Sequence, residues 1–257
     1  METSKFISIN LRGWPLNHQR HLDSINGLVS LVRKEQPAVV GVQEFVPGKS
    51  KWYFNKLKEV LPDYIFFTPL NYDWEAHWRS AINLLLVKRE KGISFVNKTL
   101  ALPNDPELDF SGLYNWLEYT DTDGLKHEIF HMHAVQLSND GKPIEYQKMR
   151  LKLHNAFWQA VHEQVLVNNN ISLIIMGDFN ADSTDVNIKL IGSVLPDTFR
   201  ESDSPVLFSY IDPAGNSHRY DHIFATSGRS YLDPAPVLAG YSDHAAVIYE
   251  PQHQCQI

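Results

Sequence analysis

Short apolar runs alternate along this chain with stretches whose apolar residues recur at helical spacing. "KFISI" at 5–9 reads as a strand. Leu22, Ile25, Leu28, Val29 and Val32 then trace one face of a helix that ends before Pro37. "AVVGVQ" at 38–43 is a second apolar run, "WYFNKLKEVL" at 52–61 is helical, and "AINLLLV" at 81–87 reads as a strand buried on both faces. The middle of the chain is richer in strands, "GISFV", "LYNWLEY" and "HEIFHMHAV", with "TDG" at 122–124 as a hairpin turn. Met149, Leu153, Phe157, Val161 and Val165 step by four along a long helix. "ISLIIM" at 171–176, "YDHIFA" at 220–225 and "HAAVIYE" at 244–250 complete the strand set. Strands that precede and follow helices, with hairpins between, predict an α/β fold of two packed mixed sheets with helices outside. No repeat, low-complexity tract or long linker divides it, so one domain over 1–257 is expected.

Several of these runs end on a residue that a core would not select. "KFISI" delivers Asn10, "VVGVQ" delivers Glu44, "HEIFHM" delivers His133, and "ISLIIMG" delivers Asp178 and Asn180. Asp221 opens a strand, and Asp243 with His244 precedes the last one. Strand ends are rigid and their loops expose side chains, which suits a constellation that must hold fixed distances. Each residue also has a structural reading. Asn10 suits a turn, and Asp178 or Asp182 could cap a helix that begins near Ser183. Asp182 is assigned that capping role.

Composition narrows the chemistry. Hydrophobic residues make up 43% and charged residues 21% of 257 residues, ordinary values for a globular chain. No apolar run is long enough to span a bilayer. The start, "METSKFISIN", lacks the basic and apolar regions of a secretory signal, and a cytoplasmic location is expected. The single cysteine, Cys255, rules out an internal disulfide and a cysteine-based metal site. A formal charge of −7 argues against a large electrostatic grip on nucleic-acid phosphates. It leaves a nuclease possible, because bound cations offset an acidic metal site. Nothing in the pattern points to a protein partner.

Asn10, "QE" at 43–44, "GDFN" at 177–180, "YDHIF" at 220–224 and "SDH" at 242–244 occur in the order found in the endonuclease/exonuclease/phosphatase family. The chain resembles that family from residue 5 to residue 249, with "GDFN" and "SDH" as the most specific pieces. Its branches include pancreatic-type deoxyribonucleases, abasic-site endonucleases, inositol polyphosphate 5-phosphatases and neutral sphingomyelinases. The resemblance implies a four-layer α/β/β/α sandwich.

Oxygen ligands from Asn, Glu and Asp suit a hard cation, Mg²⁺ or Mn²⁺. The resemblance implies that Glu44 is the principal metal ligand, with Asn10 beside it and Asp243 or Asp221 completing the site. It further implies that Asp178 orients and deprotonates the attacking water and that Asn180 holds the phosphate or the nucleophile. His244 would contact a phosphoryl oxygen with Asp221 orienting its ring. His133 resembles the histidine that contacts the scissile phosphate in the deoxyribonuclease, sphingomyelinase and deadenylase branches. His131 would share its strand face one pleat away. Arg12 and Trp14, in "NLRGWP", lie beside the metal site and are assigned to substrate contact. Arg150 resembles the family's helix-start arginine, and an ion pair is its expected role. Trp74, Trp78 and Arg79 in "NYDWEAHWRS" are open to substrate contact or simple packing.

The expected function is divalent-metal-dependent hydrolysis of a phosphodiester, in nucleic acid or a smaller phosphate ester. The rival readings are a phosphatase acting on a sugar or inositol phosphate and a catalytically inactive binding module. Retention of the full polar set argues against the last.

Overall fold

Two sheets lie face to face and helices cover their outer surfaces, an arrangement that follows from which strand faces are apolar. The computed structural model describes residues 5–12, 17–70, 72, 81–90, 94–105, 108–110, 112–120, 126–137, 141–167 and 172–251. In chain order the first half gives β1 (Phe6–Asn10), α1 (His18–Glu35), β2 (Val39–Phe45), α2 (Trp52–Val60), β3 (Tyr64–Phe67), β4 (Ile82–Lys88), β5 (Ser94–Lys98), β6 (Tyr114–Thr120) and β7 (Lys126–His133). The second half gives α3 (Ile144–Gln164), β8 (Ser172–Asp178), α4 (Val186–Val194), β9 (Tyr210–Ile211), β10 (Ser217–His218), β11 (Asp221–Ala225), β12 (Arg229–Asp233), α5 (Ala235–Leu238) and β13 (Ala246–Glu250).

One sheet has six strands in the order β12-β13-β1-β2-β4-β3, the other five in the order β11-β8-β7-β6-β5, and β9 pairs with β10 as a small ribbon. Each large sheet contains one parallel pair, β1 with β2 and β7 with β8. A parallel pair requires a crossover, which α1 supplies in the first case and α3 in the second. Asn17 caps α1 by accepting from the Arg20 amide at 3.0 Å, and Gln36 closes it in a left-handed conformation just before Pro37.

Side chains alternate across each strand. Ile7 and Ile9 of β1, with Val40 and Val42 of β2, join the cluster formed with α1 and α2. Phe130, Ile175 and Phe224 join the cluster beneath α3 and α4. The inner faces meet each other through Phe6, Val39, Ile129, Ile174 and Ile223. These clusters define helix, sheet, sheet and helix layers, the expected sandwich. Burying each such aliphatic or aromatic side chain contributes about 1.5–3 kcal/mol, and a one-residue slip would turn the whole inner set outward.

Along the gap between the sheets the chemistry changes. Beyond the apolar end comes a buried polar layer, in which the Gln43 amide donates to Ser8 Oγ at 3.0 Å and meets His131 Nε2. Gly41 makes room for it, because a Cβ there would stand 2.5 Å from His131 Cδ2. Burial and the neighbouring His133 lower the His131 pKa to about 3, so it packs as a neutral ring.

The structure departs from expectation in particular places. The helix after "GDFN" starts at Val186, and its cap is Asp185, which accepts from the Asn187 amide. Asp182 is not a helix cap; it accepts from the Arg219 amide at 2.9 Å and contacts His218. β3, β9, β10 and β12 were not anticipated. They are short or edge-like and carry little alternation: β12, for example, buries a serine and a leucine. "TDG", Trp14, Cys255 and most of "NYDWEAHWRS" lie outside the described residues, though β6 and β7 pair from Tyr114↔Met132 to Thr120↔Lys126 on either side of "TDG". No helix among the described residues is long and apolar enough to cross a membrane.

Gly177 is the tightest point of the second sheet. Its φ is +148°, and a Cβ there would fall 1.8 Å from the Met132 carbonyl oxygen. Gly177→Ala is expected to cost more than about 3 kcal/mol, read as a lowered urea midpoint at unchanged slope.

Candidate active site

The strand directions gather the polar residues at one rim. β1 and β2 run parallel, so Asn10 lies level with Gln43 at the ends of both strands. β7 and β8 also run parallel, which sets His133 beside Asp178. β11 runs the other way and begins at the rim, pairing Asp221 with Asp178. β13 is antiparallel to β1, so Asp243 and His244, just before it, reach the same edge.

Three rim segments turn by one device, a side-chain oxygen at one residue accepting from the amide two residues on. Asn10 Oδ1 accepts from Arg12 N at 2.8 Å, Asp178 Oδ1 from Asn180 N at 2.8 Å, and Ser242 Oγ from His244 N at 2.9 Å. Glu44 is aimed differently. It lies within β2, where the register with β4 shifts between Val42 and Phe45, and such a bulge re-aims a side chain. Arg12, Glu44 and Asn180 all have positive φ, at 49°, 55° and 48°. Backbone strain of this kind in non-glycine residues concentrates at functional sites.

With Oδ1 engaged in its own turn, Asp178 presents Oδ2 to the site. That atom accepts from Asn10 Nδ2 at 2.9 Å, and His133 Nε2 and His244 Nε2 lie 3.7 and 4.0 Å away. The same Asn10 amide reaches Glu44 Oε1 at 3.3 Å, and His133 Nε2 lies 3.8 Å from that oxygen. Behind this layer His244 Nδ1 pairs with Asp221 Oδ2 at 2.7 Å, with both side chains buried. Burial alone disfavours the imidazolium, but the Asp221 carboxylate outweighs it, and the His244 pKa rises to about 10. Ligand atoms of Asp178, Asp221 and His244 all fall within 4.8 Å of one another, close enough for one ion.

A cavity of about 460 Å³ opens over the rim, lined by Arg12, Glu44, His133, Asp178, Asn180, Asp243 and His244. Asn10 and Asp221 support these from behind. Thus nine of the ten residues singled out in the sequence converge, and the tenth, Trp14, lies outside the described residues. Arg12 Nε lies 3.2 Å from Asp243 Oδ2, while Asp243 Oδ1 is buried with no hydrogen-bond partner among the described residues. Burial raises the Asp243 pKa, against the pull of His244 and Arg12. One N–H of the Asn180 amide donates to the Ala134 carbonyl at 2.9 Å. Arg150 also lines the cavity, where Nε and Nη2 donate to the Gln136 carbonyl at 3.2 and 2.7 Å, and no carboxylate partner for it is found among the described residues.

A carboxylate–amide–histidine set of this order decides the family, whose profile matches residues 16–244. The chain belongs to the endonuclease/exonuclease/phosphatase family. It is a phosphoesterase of that family, and its fold is shared with solved structures at low identity. D. rerio TDP2 complexed with a single-strand DNA product superposes with a TM-score of 0.68 at 18% identity, covering 97% of this chain and 98% of that one. A family protein from Bacteroides thetaiotaomicron gives 0.67 at 18% identity over 96% and 97%. A mannosyl-6-phosphatase from the same organism gives 0.65 at 19% identity over 96% and 99%. No curated protein matches the sequence.

Ser209, Tyr210 and Tyr220 escaped the sequence reading. Ser209 Oγ accepts from the amides of Tyr220 and Asp221, and both tyrosines line the cavity. "DPAG" at 212–215, a turn signal between β9 and β10, could have drawn attention to this ribbon.

Glycine tolerates the positive φ that Glu44 adopts. Relief of that strain offsets the added entropy of the unfolded chain, so Glu44→Gly is expected to stay within about 1 kcal/mol of wild-type stability while removing a carboxylate from the cavity, measured as the melting temperature.

Proposed function

We propose that this family member is a divalent-metal-dependent phosphodiesterase, using Mg²⁺ or Mn²⁺ and an activated water. The observation that carries this reading is one oxygen of a buried carboxylate, Asp178 Oδ2, held by Asn10 and flanked by His133 and His244 beneath an open cavity.

The residues fit such an ion. Glu44 and Asp243 bring carboxylate oxygens to the cavity, and Asp243 Oδ1 is a buried acceptor without a partner among the described residues. Asn10 adjoins Glu44, and with Oδ1 held by the Arg12 amide and Nδ2 donating to Glu44 and Asp178 it positions the carboxylates around the ion. Hard oxygen donors match Mg²⁺ or Mn²⁺. The alternative trio of Asp178, Asp221 and His244 fits less well, because Asp221 Oδ2 and His244 Nδ1 are already paired with each other at 2.7 Å behind the cavity. When bound, the ion would neutralise and polarise a phosphoryl oxygen.

The chain's own groups supply the rest. Asp178 Oδ2 takes the proton of the attacking water as the water oxygen bonds phosphorus and the P–O bond to the leaving alkoxide breaks. The leaving oxygen takes a proton from solvent, and Asn180 orients the water or the phosphate. His244 donates from Nε2 to a phosphoryl oxygen while Asp221 accepts from Nδ1 and fixes the ring's position. His133 contacts the scissile phosphate from the opposite sheet, and Arg12 offers charge at the cavity mouth. Trp14 keeps its substrate role on sequence grounds alone. One cysteine in 257 residues fits a reducing, cytoplasmic setting.

A phosphatase acting on a sugar or inositol phosphate is the second reading. It is favoured by a cavity of about 460 Å³, a volume suited to one small ester, and by the formal charge of −7. Parallel assays on single- and double-stranded DNA, RNA, sugar phosphates and inositol phosphates separate the two.

Mg²⁺ or Mn²⁺ is expected to support hydrolysis of bis-p-nitrophenyl phosphate, and EDTA to abolish it. Glu44→Ala, His244→Ala and Asp178→Asn should each lower kcat by about 10²–10⁴-fold, with circular dichroism unchanged for Asp178→Asn. Normal turnover by Glu44→Ala or His244→Ala would sink the assignment. Activity should fall on the alkaline side as pH passes through about 10, where His244 loses its proton. Asp221→Asn removes the carboxylate that raises His244, so that limb should move to lower pH in a pH–rate profile.

A further inference from the structure

His244 is held at Nδ1 by a single strong hydrogen bond to Asp221. One such bond fixes a point on the ring and leaves the imidazole plane free to pivot about the N–H···O axis. A second contact sets that plane. Tyr210 stacks on His244 with ring centroids 4.7 Å apart and an interplanar angle of 26°.

Tyr210 is itself braced. Its ring continues to Tyr220 at 5.7 Å, and Tyr220 stacks on His218 at 4.6 Å. His218 lies between Asp182 Oδ2, 3.1 Å from Nδ1, and Asp212 Oδ2, 3.5 Å from Nε2. The backbone ties match the rings. Tyr210 and His244 form an antiparallel bridge, Ala245 N donates to Ser209 O at 2.8 Å, and Ser209 Oγ receives the Asp221 amide at 3.1 Å. The Ser209–Tyr210 segment therefore touches both members of the Asp221–His244 pair. Asp182 acquires a place in this chain of contacts, at the end remote from the cavity.

We propose that Tyr210 is a positioning residue for His244, its ring face fixing the imidazole plane so that Nε2 points at the phosphoryl oxygen. This rests on the role given to His244 above. An aromatic face also favours a neighbouring cation, and a misaimed donor is costly to rate while leaving ground-state binding in place. The face matters and the hydroxyl does not, and a loss in kcat with KM unchanged separates this role from a substrate-binding one.

The test compares kcat and KM on bis-p-nitrophenyl phosphate, with saturating Mn²⁺, for the wild type, Tyr210→Phe, Tyr210→Leu and His244→Ala. Tyr210→Phe should stay within about twofold of wild type, and Tyr210→Leu should lose about tenfold in kcat with KM within about twofold. If Tyr210→Leu melts below the assay temperature, Tyr210→Gln carries the same expectation. Proton NMR of the His244 ring, assigned by its loss in His244→Ala, reads the stack without turnover. Its resonances should be ring-current shifted in wild type and Tyr210→Phe and revert in Tyr210→Leu or Tyr210→Gln. Full kcat in Tyr210→Leu beside an inactive His244→Ala overturns the positioning role and leaves the proposed function standing. A Tyr210→Phe defect as large as that of Tyr210→Leu overturns it as well. Normal turnover by His244→Ala removes the functional reading on which it depends.

Discussion

Two carboxylates, Asp178 and Asp221, sit directly opposite each other on neighbouring strands, each 1% exposed. Unit charges of like sign about 4 Å apart repel by roughly 4 kcal/mol even at an effective dielectric of about 20. The fold tolerates this only because compensating groups arrive from elsewhere in the chain. His244 comes from the segment before β13 and pairs with Asp221. Asn10 comes from the end of β1 in the facing sheet and donates to Asp178. The packing of the two sheets is thus coupled electrostatically at the rim, and neither sheet alone could hold its acids in place.

The same coupling explains why the inter-sheet gap is graded. Apolar contacts fill one end, a Ser8–Gln43–His131 layer occupies the middle, and the acids lie at the far end. Gln43 Nε2 meets two partners in this layer, while Gln43 Oε1 and His131 Nδ1 are buried without one among the described residues. The layer spaces the charged rim from the apolar interior, with Gly41 letting His131 lie close to β2.

Much of the site was legible in sequence because a short apolar run that stops at an acid, amide or histidine marks a strand end with chemistry on it. Asn10, His133 and Asp178 are such endings. Glu44 was legible as a residue type but not as a geometry, since a bulge leaves no trace in hydrophobic alternation. Asp182 was misread because two acids, Asp182 and Asp185, precede the same helix and either could cap it; the hydrogen bond goes to the second. Ser209 and Tyr210 were invisible for a different reason. Their strand is two residues long, too short to carry a period, and their importance comes from contacts with residues far along the chain.

The turns at Asn10, Asp178 and Ser242 give the rim an economy of its own. At Asp178 the side chain that faces the cavity, and at Asn10 the one that holds it from behind, is also the one that closes the adjoining loop. Chemistry and local architecture are therefore inherited together at these positions. A descendant that lost its catalytic oxygens to apolar residues would also lose the hydrogen bonds that fold the loops carrying Arg12 and Asn180. Loss of activity by drift would then tend to unravel the rim itself, whereas an Asp-to-Asn exchange, which keeps an accepting oxygen, could silence the chemistry and leave the scaffold standing.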